Sequence, residues 1–423
     1  MEDSTTVKTD CRQPVITKCK KCCSRAYNAV LMLIALLLYS VFYDLALGYT
    51  AEDGVVLYLG LRIFPRLLVV AVLLKGIIDK INVYGKVNKK VRILSFSLIL
   101  LFLVIIISFL FNLSGATYIT SLAIAISAFT YFSFYRLKEQ EIQRLLVCFA
   151  LTVAVCLLFT SELGESSTDR LNSNTGGFLL AMLFCITFTY FCKTKKFLYL
   201  VFSVACVLLQ VIFVARTALL GVIFYMAALL MLRGLKRSFK FKTVFVVLLL
   251  IAVGSILFSY IYSTVLFDKF GKGAIIIFGK DLFTGRQGIW KTAFELIASS
   301  PIFGTGSALN DALVSGGATG AFNNAHSQAL GIMVAYGIPV FCVFYISLCL
   351  ALALPYYRRG RQQKRAGAIF IAVCLIMCYF ETYFFSIHRC IAIVVAYVLI
   401  SNISAPGARK NIQNSKKASK VNG

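Results

Sequence analysis

Residues 243–264 read TVFVVLLLIAVGSILFSYIYST, without one charged side chain. A run of that length and character crosses about 30 Å of hydrocarbon as a helix. The segment after it is mixed in character. Residues 266–326 open on Phe267-Asp268-Lys269 and pass through Thr284-Gly285-Arg286, Trp290 and Pro301-Ile302-Phe303-Gly304-Thr305-Gly306. They end on Asn323-Asn324-Ala325-His326, where the apolar character resumes over 326–351. This segment holds the single Trp of the chain and one of its two His residues. Crossing a bilayer requires neither, so the segment is where function is expected.

Outward from that point the same alternation recurs. Of the 423 residues 60% are hydrophobic and 14% charged, and the mean hydropathy is +0.85. These values lie outside the range of soluble domains. Apolar runs fall at 26–50, 54–74, 93–112, 114–135, 145–160, 175–192, 197–214, 217–232, 243–264, 326–351, 366–384 and 388–402. The expected fold is therefore all-α and polytopic, with about 12 transmembrane helices forming one domain over 26–402. A basic tail, 1–25, precedes it, and a polar segment without apolar period, 403–423, is expected to be a disordered cytoplasmic tail. The first apolar run has no small-residue cleavage site after it and is expected to remain as an anchor. The second run is impure, because Arg62, Pro65 and Arg66 fall inside it.

The net charge is +26, which in a soluble protein suggests nucleic acid. Here its placement says otherwise: 33 of the 43 Lys and Arg residues lie in alternate polar segments, 1–25, 75–92, 136–144, 193–196, 233–242, 358–365 and 409–420. That is the positive-inside pattern, with both termini cytoplasmic. The basic surface then faces anionic membrane lipids, and no nucleic-acid partner is expected. The same orientation puts 161–174, Arg216, 266–325 and 385–388 on the external face. The 14 Cys sit mostly within spans or in the first tail, where Cys19, Cys22 and Cys23 lack the further ligands of a zinc site.

Within 266–325, Ile289, Trp290, Phe294, Ile297 and Ala298 recur at helical spacing between Gly285 and Pro301. An amphipathic helix over 286–299 is expected, lying at the outer interface. The run Ser315-Gly316-Gly317 is compatible with a mobile hairpin or lid over the site and equally with a plain surface loop. Ionisable groups in or beside spans are expensive and mark sites. Arg216 has apolar sequence on both sides, and Arg286 stands at a helix start whose free N–H groups favour anions. Two such guanidinium groups on one face suit a diphosphate, although each alone is also compatible with a headgroup contact or a structural ion pair. His326 stands where the chain re-enters the membrane and is a candidate general base or a helix cap. Glu381 interrupts the run 366–384 and calls for a cationic partner. Arg170 and Asn174 precede the sixth span, with Asp169 offering Arg170 a local pair.

In order and context these residues resemble the O-antigen ligase and O-antigen polymerase family. The likeness covers roughly 165–340: Arg170 with Asn174, Arg216-Thr217-Ala218, Thr284-Gly285-Arg286, Trp290, Pro301, Gly304 and Gly306, His326, and Gly337. Ser327 stands where the family often has Asn, and Ser173 where Pro is usual. The resemblance implies a GT-C-like glycosyltransferase with an undecaprenyl diphosphate-linked oligosaccharide as donor and a glycan hydroxyl as acceptor. It further implies an inverting, metal-independent reaction that needs no cofactor. Arg216 and Arg286 would stabilise the diphosphate, His326 would activate the acceptor and Glu381 would orient these groups. Arg170, Asn174, Trp290 and Asn324 would bind substrate. A surface polysaccharide polymerase, working with a chain-length regulator on capsule or lipopolysaccharide, is the expected function. A ligase acting on lipid A-core or another envelope acceptor and a transporter or flippase for an anionic lipid or metabolite are the alternatives.

Overall fold

The computed structural model describes residues 28–39, 64–83, 116–133, 137–162, 173–213, 215–232, 239–266, 276–277, 280–281, 286–306, 325–353 and 365–403, with single positions at 95, 99 and 102. Its helices are α1 (Asn28–Tyr39), α2 (Phe64–Val83), α3 (Ala116–Ser133), α4 (Glu139–Glu162), α5 (Ser173–Thr194) and α6 (Phe197–Ile212), then α7 (Arg216–Met231), α8 (Phe241–Ile261), α9 (Arg286–Ser299), α10 (Gln328–Ala353), α11 (Arg365–Met377) and α12 (Ile387–Ile403). Four of them are long and apolar enough to span a bilayer by themselves, and shorter apolar helices accompany them. The protein is an all-α polytopic membrane protein. A two-residue antiparallel ribbon, Ile276–Ile277 against Lys280–Asp281, lies in the connection between α8 and α9. The expected span 93–112 and the tails 1–25 and 403–423 lie largely or wholly outside the described residues.

Apolar patterning decides which helices sit inside. In α12 nearly every residue from Ile387 to Ile403 is buried, and α5 is 83% buried along its apolar window. A helix apolar all round belongs either inside a bundle or against lipid. α3, α5, α10 and α12 take the first place, while α8, only 28% buried, takes the second with Leu250 and Leu257 outward.

The described part of the second expected span lies in α2, Phe64–Val83, and residues 54–63 of it lie outside the described residues. Arg66 is buried there, with its Nη1 donating to Ser121 Oγ at 3.1 Å. One element departs from the sequence expectation. The run 366–384 is not one helix. α11 stops at Met377, and Cys378 to Ser386 form an irregular connection with a short 3₁₀ turn, Tyr383–Phe385. Glu381 therefore interrupts no helix.

α10 is broken, and the break is filled. Gly337 has φ 83° and ψ 170°, and Pro339 has no N–H to offer Ala335 O. The segment Pro301–Gly306 lies in the gap. Thr305 N donates to Val334 O at 2.6 Å, Gly306 N donates to Ala335 O at 3.3 Å, and Ile338 N donates to Pro301 O at 2.8 Å. Val334 O, Ala335 O and Ile338 N thus have partners, as irregular backbone within a membrane protein requires. Gly304, at φ 72°, lies so close to the backbone of Ala335 and Tyr336 that a Cβ there would overlap it, and a Cβ at Gly337 would meet Ile302 O. The Pro-x-x-Gly-x-Gly spacing is the shape of this interlock.

Candidate active site

α9 runs from Arg286 to Ser299, the bounds the periodicity implies. Its apolar face does not lie in a membrane interface. Ile289, Trp290, Ala293 and Ile297 are buried against α10 and the π turn Tyr262–Leu266 that ends α8. The Trp290 ring meets Tyr262 edge-on at 5.5 Å and Phe258 at 6.1 Å. Its indole Nε1 donates to Ala325 O at 2.9 Å. The fully buried Trp290 therefore ties α9 to the residue preceding His326.

That tie matters because His326 has φ 44°, a left-handed conformation uncommon for a residue with a Cβ and typical of sites held by their surroundings. Two residues on, Gln328 fixes the opposite wall. Its N–H donates to Cys378 O at 2.9 Å, and its Oε1 accepts from Phe384 N at 2.9 Å. The connection 378–386 is pinned further by Tyr379, whose hydroxyl donates to Ile251 O at 2.6 Å. Tyr383 stacks on Phe178 at 4.2 Å.

These braces bring Glu381 between two cationic or protonatable partners. Its Oε1 lies 3.4 Å from Arg286 Nη2 and its Oε2 lies 3.5 Å from His326 Nδ1. All three side chains are largely shielded, at 13% exposure for Arg286, 7% for Glu381 and 15% for His326. Arg286 also lies over the Phe380 ring at 5.8 Å. Burial opposes charge on Glu381, but His326, Arg286 and Arg389 outweigh it and hold the carboxyl below its ordinary value. Burial also lowers the pKa of Arg286; Glu381 counters this, whereas the like charge of Arg216 adds to it. A guanidinium remains cationic through such shifts. Arg216, the first residue of α7, is thus close enough to act on Arg286.

Of the other expected residues, Asn174 lies in the first turn of α5, whereas Arg170 and Asn324 are outside the described residues, as are Thr284, Gly285 and the run 315–317. The sequence reading passed over Arg389, which stands in the first turn of α12. Its Nη2 donates to Thr175 Oγ1 at 2.6 Å, and its guanidinium lies over Tyr383 at 5.9 Å. An Arg at the start of the last span was a visible signal. Only the packing of α12 on α5 relates it to Glu381.

Chemically, the arrangement offers an imidazole beside a carboxylate, which can take a proton from a hydroxyl, and guanidinium groups nearby that can stabilise an anion as it forms. A family model described as O-antigen ligase matches residues 201–345. The match contains Arg216, Arg286, Trp290 and His326, while Glu381 and Arg389 lie beyond it. A comparison with curated proteins gave no match, and a comparison with solved structures gave none either.

Proposed function

We propose, on the family-model match over residues 201–345, that the chain is a member of the O-antigen ligase and polymerase family, membrane enzymes that take glycan from a lipid-linked donor to an acceptor, and that it is a surface polysaccharide polymerase. Its donor is a glycan on undecaprenyl diphosphate, its acceptor is a sugar hydroxyl on another lipid-linked unit, and it works at the outer face of the cytoplasmic membrane. The observation that carries the reading is the Arg286–Glu381–His326 cluster, with the charges of Arg216 and Arg389 acting on it.

In the proposed reaction the acceptor oxygen attacks the anomeric carbon, and the bond from that carbon to the diphosphate oxygen breaks with its electron pair leaving on the diphosphate. A single in-line displacement inverts the anomeric centre. His326 takes the hydroxyl proton, and Glu381 holds the ring and stabilises the imidazolium. Arg286 and Arg216 hold the diphosphate and bear the charge that grows on it, the part metal ions play elsewhere. Arg170, Asn174 and Asn324 are proposed to bind the glycan, while Trp290 acts as a positioning residue through Ala325.

The test is to incubate purified protein with the lipid-linked repeat unit alone and to separate the products on a gel. A ladder made by wild type and lost in Arg286→Ala and His326→Ala is expected. Single transfer that appears only on adding a separate lipid A-core or other envelope acceptor would make the protein a ligase. No transfer to any acceptor would sink the enzyme reading in favour of transport.

A further inference from the structure

Beyond the Arg216–Arg286 pair, the same contacts continue to a second cationic group on another set of helices. Arg389 on α12 donates to Thr175 Oγ1 on α5 at 2.6 Å. The adjacent Cys390 Sγ donates to Ser121 O on α3 at 3.6 Å, and Ser121 Oγ accepts from Arg66 Nη1 on α2 at 3.1 Å. α12 begins at Ile387, two residues before Arg389, so its partial positive end adds to that guanidinium. Arg389 is half-buried, and its Nε has no hydrogen-bond partner although it is shielded. Glu381 is a carboxylate whose charge reaches Arg389, and it is shared with Arg286 and His326, which lie on its two oxygens. Glu381 thus stands between the guanidinium of Arg286 and that of Arg389.

From this we infer a second anion subsite, centred on Arg389 and Thr175, that holds the diphosphate of the acceptor's lipid carrier while Arg216 and Arg286 hold that of the donor. This inference rests on the polymerase reading. In a polymerase both substrates hang from a lipid diphosphate: one diphosphate must leave while the other must stay attached and be kept in place. A single cation cluster cannot serve both, because two diphosphates in contact repel strongly at low dielectric. Separate guanidinium groups with Glu381 between them keep the two apart. A guanidinium held by a threonine hydroxyl and an aromatic face is oriented to meet a phosphate with its remaining N–H groups.

The test uses the full-length protein in detergent. Farnesyl diphosphate is the binding probe, and its stoichiometry is read by native mass spectrometry. Wild type should bind two molecules, and Arg389→Gln and Arg286→Gln one each, with both variants melting as cooperatively as wild type. Transfer is then followed with an acceptor-only substrate, the repeat unit joined to its lipid diphosphate through a carbon–phosphorus bond that cannot break. Arg389→Gln should raise the KM for this acceptor about tenfold or more and leave the KM for the donor unchanged, and Arg389→Lys should restore part of the loss. One bound diphosphate in wild type, two in Arg389→Gln, or equal changes in both KM values would overturn the inference. So would displacement of one farnesyl diphosphate by equimolar phosphatidylglycerol, which would make the subsite a headgroup contact. Wild-type transfer with one bound diphosphate sinks the second subsite alone, whereas no transfer with any acceptor sinks the polymerase reading and the acceptor assignment with it.

Discussion

Glu381 has Arg286 near one oxygen and His326 near the other, so its removal takes a partner from both. Glu381→Gln keeps the shape but not the charge, and kcat should fall at least about 10²-fold with donor KM little changed, in the range usual for proton-transfer partners. Because the folded carboxyl titrates below its ordinary value, its contribution to stability is complete above the unfolded value, about 4.3. It is lost as pH falls through the lower folded value. Thermal melts in detergent should therefore show wild type losing its advantage over Glu381→Gln on acidification through that window. An advantage that persists or grows would mean the pair is not formed. Trp290→Phe tests a different link. It keeps an aromatic ring but removes the bond to Ala325 O and part of the buried ring volume, which together should cost about 2–4 kcal/mol. If the indole sets the backbone ahead of His326, kcat should drop more than stability does.

Among elements, the broken α10 is held by backbone bonds from Pro301–Gly306, and those bonds in turn fix the end of α9. A side chain at Gly337 or Gly304 faces both a left-handed backbone and atoms already in place. Gly337→Ala and Gly304→Ala should each destabilise by at least about 1–3 kcal/mol, seen as a lower melting temperature. Activity should fall too, because α9 carries Arg286. A melt and a rate that both match wild type would mean the segment is free to leave the gap. Periodicity gave α9 its bounds because its apolar residues repeat every three to four positions. It could not give the break in α10, because Gly337 and Pro339 occur in an apolar stretch that reads as one span. The partner that makes the break tolerable lies some thirty positions upstream.

At the scale of the molecule, charge placement makes the proposed orientation testable. An epitope inserted after Gly316 should be reached by antibody in spheroplasts with intact membranes, while one after Gly423 should be reached only after permeabilisation. The reverse pattern would put the Arg286–Glu381–His326 cluster on the wrong side for an undecaprenyl-linked donor presented outside. Burial bears on mechanism as well: α5 and α12, both enclosed in the bundle, carry Thr175 and Arg389 in their first described turns. Enclosed helices suit a constellation that must be preorganised.

The class of the protein and the rough positions of its candidate residues follow from residue order and hydropathy. Apolar length fixes helical spans because a backbone in hydrocarbon must satisfy its own hydrogen bonds, and a lone Arg, His or Glu beside such a span stands out because its desolvation is costly. Arg216, Arg286, His326 and Glu381 were legible on that ground. Tertiary structure alone decided their partnerships. That Glu381 meets Arg286 across 95 positions of chain, that Trp290 serves as a brace at Ala325, and that Arg389 joins Thr175 are consequences of which helices pack together. Packing is governed by shape and close contact between apolar faces that look alike in sequence, so neither hydropathy nor spacing records it.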